Sequence, residues 1–137
     1  LKKAKTERLK YVIYTEDCSL DKEYRNDVEW TKIIERAIDS NNVVMYFQPI
    51  VDSDEKIVKY EALIRIVDGE MIYAPIHFLD IAKKVKFYQD LAKIVIQKSF
   101  AKAHELQVNI NINLSIEDVI NVDLIEYIED ELKDKNI

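Results

Sequence analysis

Lys59-Tyr60-Glu61-Ala62-Leu63-Ile64-Arg65 is the stretch on which the fold turns. Strand alternation puts Glu61, Leu63 and Arg65 on one face and Tyr60, Ala62 and Ile64 on the other. An acid and a base on one face are unusual for a strand that a parallel sheet would mostly bury. An ion pair along an exposed edge explains them, and so does a site that needs both charges. These residues alone leave both explanations open.

Outward from this stretch, residues 56–67 read as one strand, entered through the turn Asp52-Ser53-Asp54-Glu55. Before the turn, residues 43–51 form an apolar run, a buried strand ending at Gln48-Pro49, where the missing proline N–H marks a strand end, edge or bulge. After it, Asp68-Gly69 returns the chain into residues 70–73 as a hairpin. Pro75 stands where a first helical turn tolerates proline. Phe78, Ile81, Ala82 and Val85 follow at helical spacing, and a break near Lys86 precedes a longer helix with Tyr88, Leu91, Val95 and Ile96.

Residues 107–114 read as the next strand, with Val108, Ile110, Ile112 and Leu114 on one face and Asn109, Asn111 and Asn113 on the other. Asparagine has low strand propensity, so three in alternation ask for a reason. A sheet face open to water is one. The other is that Asn113, at the C-terminal strand end where barrel active sites sit, offers its side-chain oxygen to a hard cation. Ser115 and Asp118 have capping-box spacing, and Ile125, Ile128 and Leu132 mark a last helix. Strands separated by helices imply βαβ crossovers, hence an α/β fold with a parallel sheet.

Upstream, residues 1–10 are basic and Tyr11-Val12-Ile13-Tyr14 reads as a short strand. A polar connector over residues 15–21 leads to an amphipathic helix over 22–40, stopped by Asn41-Asn42. Both ends read as cuts in a longer protein.

Composition narrows the chemistry. The chain has 137 residues, 48% hydrophobic and 34% charged, with a net charge of −6. That is the balance of a globular protein without general affinity for nucleic acid or anionic membranes. Gly69 is the only glycine, so a glycine-rich phosphate loop is excluded. Any phosphate must be met by side chains, metal or helix ends. Cys18 is the only cysteine, which rules out an internal disulfide and fits a reducing cytoplasmic setting. No apolar run approaches the roughly 20 residues that cross a bilayer. His77, His104 and Cys18 lack metal-ligand spacing.

Taken together, these segments resemble the EAL family of cyclic di-GMP phosphodiesterases, named for Glu61-Ala62-Leu63 as they occur here. Tyr46-Phe47-Gln48-Pro49-Ile50-Val51 is similar to the family's first strand, and Lys59 to Arg65 to its Glu-Ala-Leu-x-Arg strand. Pro75, Phe78, Ile81 and Ala82 match the helix that follows, and Ile112-Asn113-Leu114-Ser115 resembles its Val-Asn-Leu-Ser strand end. The stretch after Arg65 is shorter than usual, with Ile66-Val67-Asp68-Gly69 in place of the family's Trp and Gly-rich turn.

The resemblance implies a partial TIM-like (β/α) barrel, the first strands and helices of an EAL domain. By it, residues 42–137 are a truncated EAL domain and 21–41 a linker or leading helix. Residues 1–20 look like the tail of a preceding GGDEF domain and connector. Glu61 and Asn113 would be ligands of Mg²⁺ or Mn²⁺. Arg65 would meet a phosphate of cyclic di-GMP, and Gln48 and Leu63 would line the guanine pocket. The family's remaining catalytic groups come from later strands, so no complete catalytic set is expected here. The alternative is a degenerate, non-catalytic EAL domain that binds the dinucleotide or mediates oligomerisation. Sheet edges left open by half a barrel suggest self-association. Neither a nucleic-acid polymer nor a membrane is an expected partner of this segment.

Overall fold

The computed structural model describes the backbone of residues 2–135 and the side chains of residues 20–135. Helix α1 (Lys2–Asp39) leads into strands β1 (Val43–Val51), β2 (Ile57–Asp68) and β3 (Met71–Tyr73). A single 3₁₀ turn (Pro75–His77), α2 (Leu79–Lys84) and α3 (Tyr88–Leu106) follow, then β4 (Ile110–Ile112), α4 (Ile116–Val119) and α5 (Val122–Lys135).

The strand expected at Tyr11 to Tyr14 and the connector after it do not form; both lie inside α1. Four β-prone residues make a strand only where another strand offers pairing, and none pairs here. The helix stops where Asn41 takes a left-handed φ of 57°, a conformation asparagine tolerates better than most residues. Lys98 of α3 then holds the exit, donating to the Asn41 side chain at 2.7 Å and to the Val43 carbonyl. Burial pushes its ammonium pKa down.

The sheet is mixed, whereas the strands separated by helices implied a parallel one; among the described residues only the β2–β4 pair is parallel. β1 and β2 are antiparallel, with Gln48 opposite Glu61 and Tyr46 opposite Leu63. The loop between them is too short for a crossover, which needs a dozen residues or more. It closes as a turn in which Asp52 Oδ1 accepts from the amides of Asp54 and Lys56 at 2.9 and 3.0 Å. β3 is antiparallel to β2, and Gly69 enters the two-residue hairpin loop at φ 62°. β4 returns through α2 and α3 to lie parallel to β2, with Glu61 opposite Asn111.

β4 is shorter than the eight residues expected. Gln107 is used as the left-handed cap of α3, and the chain leaves the sheet after Ile112 to start α4. The box at Ser115 and Asp118 forms as the spacing predicts.

The core lies between the sheet and the helices. Ile34 and Ala37 of α1, Val43, Ile66, Phe78, Ile81, Ala82 and Leu91 form one buried cluster, with Trp30, Ile64 and Tyr73 packed on it. Trp30 stacks on His77 and meets Tyr73 edge-on, closing the core beside the 3₁₀ turn. Ala62 and Ile66 are buried on one side of β2. The opposite face, with Glu61, Leu63 and Arg65, is left for other work.

Candidate functional site

Register partners in a sheet share a face. Gln48 and Tyr46 of β1 therefore join Glu61, Leu63 and Arg65 of β2 and Asn111 of β4 on one side of the sheet. Asn113, just beyond β4, reaches back across this face and donates from Nδ2 to Glu61 Oε1 at 2.7 Å. Glu61 thus has an amide-bearing side chain on both neighbouring strands. Because those amides can offer either end, the same carboxylate can be hydrogen-bonded by them or share a cation with them.

Arg65 stands four residues beyond Glu61 along β2, on the same face. Its Nη1 donates to the Ile64 carbonyl at 2.7 Å, and the guanidinium lies 5.5 Å from the Tyr46 ring centroid. No carboxylate ion pair holds Arg65 among the described residues. Leu63 lines a cavity of about 150 Å³ together with Leu91, Asn113, Leu114, Tyr88 and Asp118. The structure brings Glu61 and Asn113 into direct contact and sets Gln48 opposite Glu61. Arg65 remains close by, on its own contacts.

Two features of the site were not singled out from sequence. Tyr46 supplies the ring beside Arg65; its position two residues before Gln48 on an alternating strand was the available signal. Tyr88 and Asp118 form a second polar group behind Asn113. The Tyr88 hydroxyl donates to Asp118 Oδ2 at 2.7 Å, and the amide and hydroxyl of Ser115 reach the same oxygen at 2.7 and 2.8 Å. Burial alone would raise the Asp118 pKa. The hydrogen bonds from Tyr88 and Ser115 and the nearby Lys83 charge outweigh it and hold the carboxyl below its usual range. Burial pushes the Tyr88 phenol up.

The donors on this face fit a divalent cation in kind. A glutamate carboxylate and an asparagine amide are hard oxygen ligands, suited to Mg²⁺ or Mn²⁺. They are few: among the described residues no cluster of three or more acid, His or Cys side chains could hold a metal. Glu61 and Asn113 would supply two of its ligands, and the remaining ones would have to be other oxygens.

Over 79 residues the chain is 34% identical to the cyclic di-GMP phosphodiesterase PdeB of Shewanella oneidensis, covering 56% of this chain and 9% of that protein. The FimX EAL domain of Pseudomonas aeruginosa bound to c-di-GMP superposes with a TM-score of 0.69 at 25% identity, over 79% of this chain and 46% of that one. The Xanthomonas citri FimX EAL domain in complex with c-di-GMP gives 0.73 at 15% identity, over 85% and 47%. The chain thus spans under a tenth of the curated relative and under half of either structure. The model of the EAL domain family matches residues 31–137, and the chain belongs to the EAL-domain family.

Proposed function

We propose that this face is the first part of a cyclic di-GMP phosphodiesterase site. The observation that carries the reading is the 2.7 Å contact between Glu61 and Asn113, made on a strand face shared with Gln48 and Arg65. In this reading Glu61 and Asn113 hold Mg²⁺ or Mn²⁺, Arg65 takes a ligand phosphate, and Gln48 and Leu63 border a guanine base.

The residues of this face account for binding and orientation. Arg65 presents a guanidinium fork that matches phosphate oxygens in pairs. Gln48 can donate and accept at once, as the edge of guanine requires. Leu63 supplies apolar contact beside it. A bound divalent cation would supply Lewis acidity and lower the pKa of a coordinated water. Two protein oxygens hold such a cation weakly, because Mg²⁺ gives up its waters reluctantly. The 137 residues by themselves are therefore expected to leave cyclic di-GMP intact.

The test is calorimetric titration of the full-length protein with cyclic di-GMP, with and without Mg²⁺, alongside a hydrolysis assay. Arg65→Ala should weaken binding about tenfold or more, the worth of a hydrogen bond to a charged group. Glu61→Gln should abolish the effect of Mg²⁺ while leaving metal-free binding in place. Binding without turnover in the wild type would make the protein a cyclic di-GMP receptor. Unchanged affinity in Arg65→Ala would refute the phosphate role.

A further inference from the structure

Asn113 belongs to neither a strand nor a helix, since β4 ends at Ile112 and α4 begins at Ile116. Its side chain also borders the cavity of about 150 Å³ shared with Leu63, Tyr88 and Asp118. Close packing therefore does not fix it on that side, as it would fix a core residue. Besides its bond to Glu61, what holds it is the chain on either side. Upstream, β4 pairs with β2 at Tyr60, Glu61 and Ala62. Downstream, the first anchor is Ser115, bonded to Asp118.

Asp118 is unusual for a capping residue. It is only 4% exposed, where aspartate is seldom fully buried unless its charge is compensated. The capping box is complete with Ser115 alone: Ser115 accepts from the Asp118 amide, and Asp118 accepts from the Ser115 amide. The Tyr88 hydroxyl is a further donor that no helix start requires. It comes from the first turn of α3, whose Leu91 is part of the buried core. Lys83 of α2 adds to the same tie, with its ammonium 5.0 Å from the Tyr88 ring centroid and a 3.1 Å ion pair to Glu117. The start of α4 is thereby fastened to the helices that pack on β2.

We propose that Tyr88 and Asp118 are positioning residues for Asn113, holding its side chain against Glu61 by anchoring the chain two residues beyond it. The inference rests on the reading of Asn113 as a metal ligand. It goes further, in assigning the ligand's placement to a phenol on a different element. Removing the Tyr88 hydroxyl leaves the capping box intact, so α4 still starts. What it removes is the tie between α4 and α3, and Asn113 then has a cavity to move into. Partners behind a ligand commonly change metal affinity by ten- to a hundredfold.

The experiment uses the full-length protein, with Mn²⁺ alone as the probe and free Mn²⁺ measured by electron paramagnetic resonance. Tyr88→Phe should weaken Mn²⁺ binding by about tenfold and should have no further effect when Asn113→Ala is already present. That non-additivity separates positioning from a general structural role, which would cost the same in both backgrounds. A crystal structure of Tyr88→Phe should show Asn113 out of hydrogen-bond reach of Glu61. Asp118→Asn keeps the volume and weakens the same tie. It serves as the second variant if Tyr88→Phe does not fold.

Equal losses in the two backgrounds, or Asn113 unmoved in the variant structure, would overturn the proposal. If wild-type protein binds no Mn²⁺ that Glu61→Gln abolishes, the ligand reading fails. The crystal structure then still decides whether Tyr88 places Asn113.

Discussion

Replacing Ile34 with alanine tests whether the end of α1 is part of the folded domain or a linker leading to it. Ile34 is fully buried, 0% exposed, and sits in the cluster with Val43, Ile66, Phe78 and Leu91. An Ile→Ala change in such a core costs about 2–5 kcal/mol, from lost transfer energy and the cavity left behind. Taking about 3 kcal/mol, the shift in Tm follows from the unfolding entropy. At about 2.1 cal/mol/K per residue, the 137 residues give about 0.29 kcal/mol/K, so Tm should fall by about 10 °C. Val28→Ala is the control on the same helix. Val28 is 37% exposed, and a surface change of this kind costs within about 0.5 kcal/mol, or under about 2 °C. Thermal unfolding followed by far-ultraviolet circular dichroism measures both. Equal shifts, or a shift below about 3 °C for Ile34→Ala, would mean that α1 docks without contributing to the core. The domain would then begin at β1 rather than within the helix.

Gly69→Ala should cost about 1 kcal/mol, because φ is 62° and the left-handed backbone is strained for a residue with a Cβ. An added Cβ meets nothing within 4 Å, so Gly69→Asn should lose less; equal losses by denaturant titration would contradict a purely conformational cost. Asp118 should make stability acid-sensitive. Its carboxyl is held below the unfolded value, so the unfolded chain takes up the proton first as pH falls. The contribution is therefore whole above about pH 4 and is lost as pH drops through the folded pKa. The charged and titratable groups near it include Tyr88, Lys83 and Glu117. Asp118→Asn should flatten this part of the stability profile in acid denaturation, and an equally steep profile in the variant would refute the assignment.

The shared face of the candidate site was legible because strand alternation is strict. With residues 56–67 a strand, Glu61, Leu63 and Arg65 must share a face, and they do. The β1–β2 register then placed Gln48 opposite Glu61, a pairing that no local pattern specifies. The errors fall where two local preferences compete. Tyr11 to Tyr14 has strand composition, yet a strand depends on a partner while a helix satisfies its own backbone, and the helix prevails. Residues 107–114 alternate perfectly, but Gln107 is taken as the α3 cap and Ser115 demands an extended approach to α4. Only Ile110–Ile112 remains in the sheet. Tyr88 escaped notice because its hydroxyl meets Asp118 thirty residues later, a distance over which sequence pattern carries no geometry.

The state of Arg65 bears on how the proposed site would take its ligand. β2 is paired along nearly its whole length by β1, whereas on its other side β4 reaches Tyr60 to Ala62 and β3 begins at Ile66. Leu63, Ile64 and Arg65 lie in the gap, and it is the Ile64 carbonyl that takes the Arg65 guanidinium. The second contact, over the Tyr46 ring, is worth about 0.5–1 kcal/mol at an exposed position. Both partners are neutral and both face solvent or the open strand edge. Letting go of them leaves no buried charge, because the guanidinium never leaves water entirely. A phosphate offers the same group a paired, charge-assisted interaction, about twice as strong as a neutral hydrogen bond. The exchange thus runs toward the anion. Had Arg65 been locked to Glu61, as the bare spacing on the strand allowed, the same phosphate would first have had to break an ion pair. By engaging Asn113 instead, Glu61 leaves the cationic side chain available and keeps its own carboxylate in place for a cation.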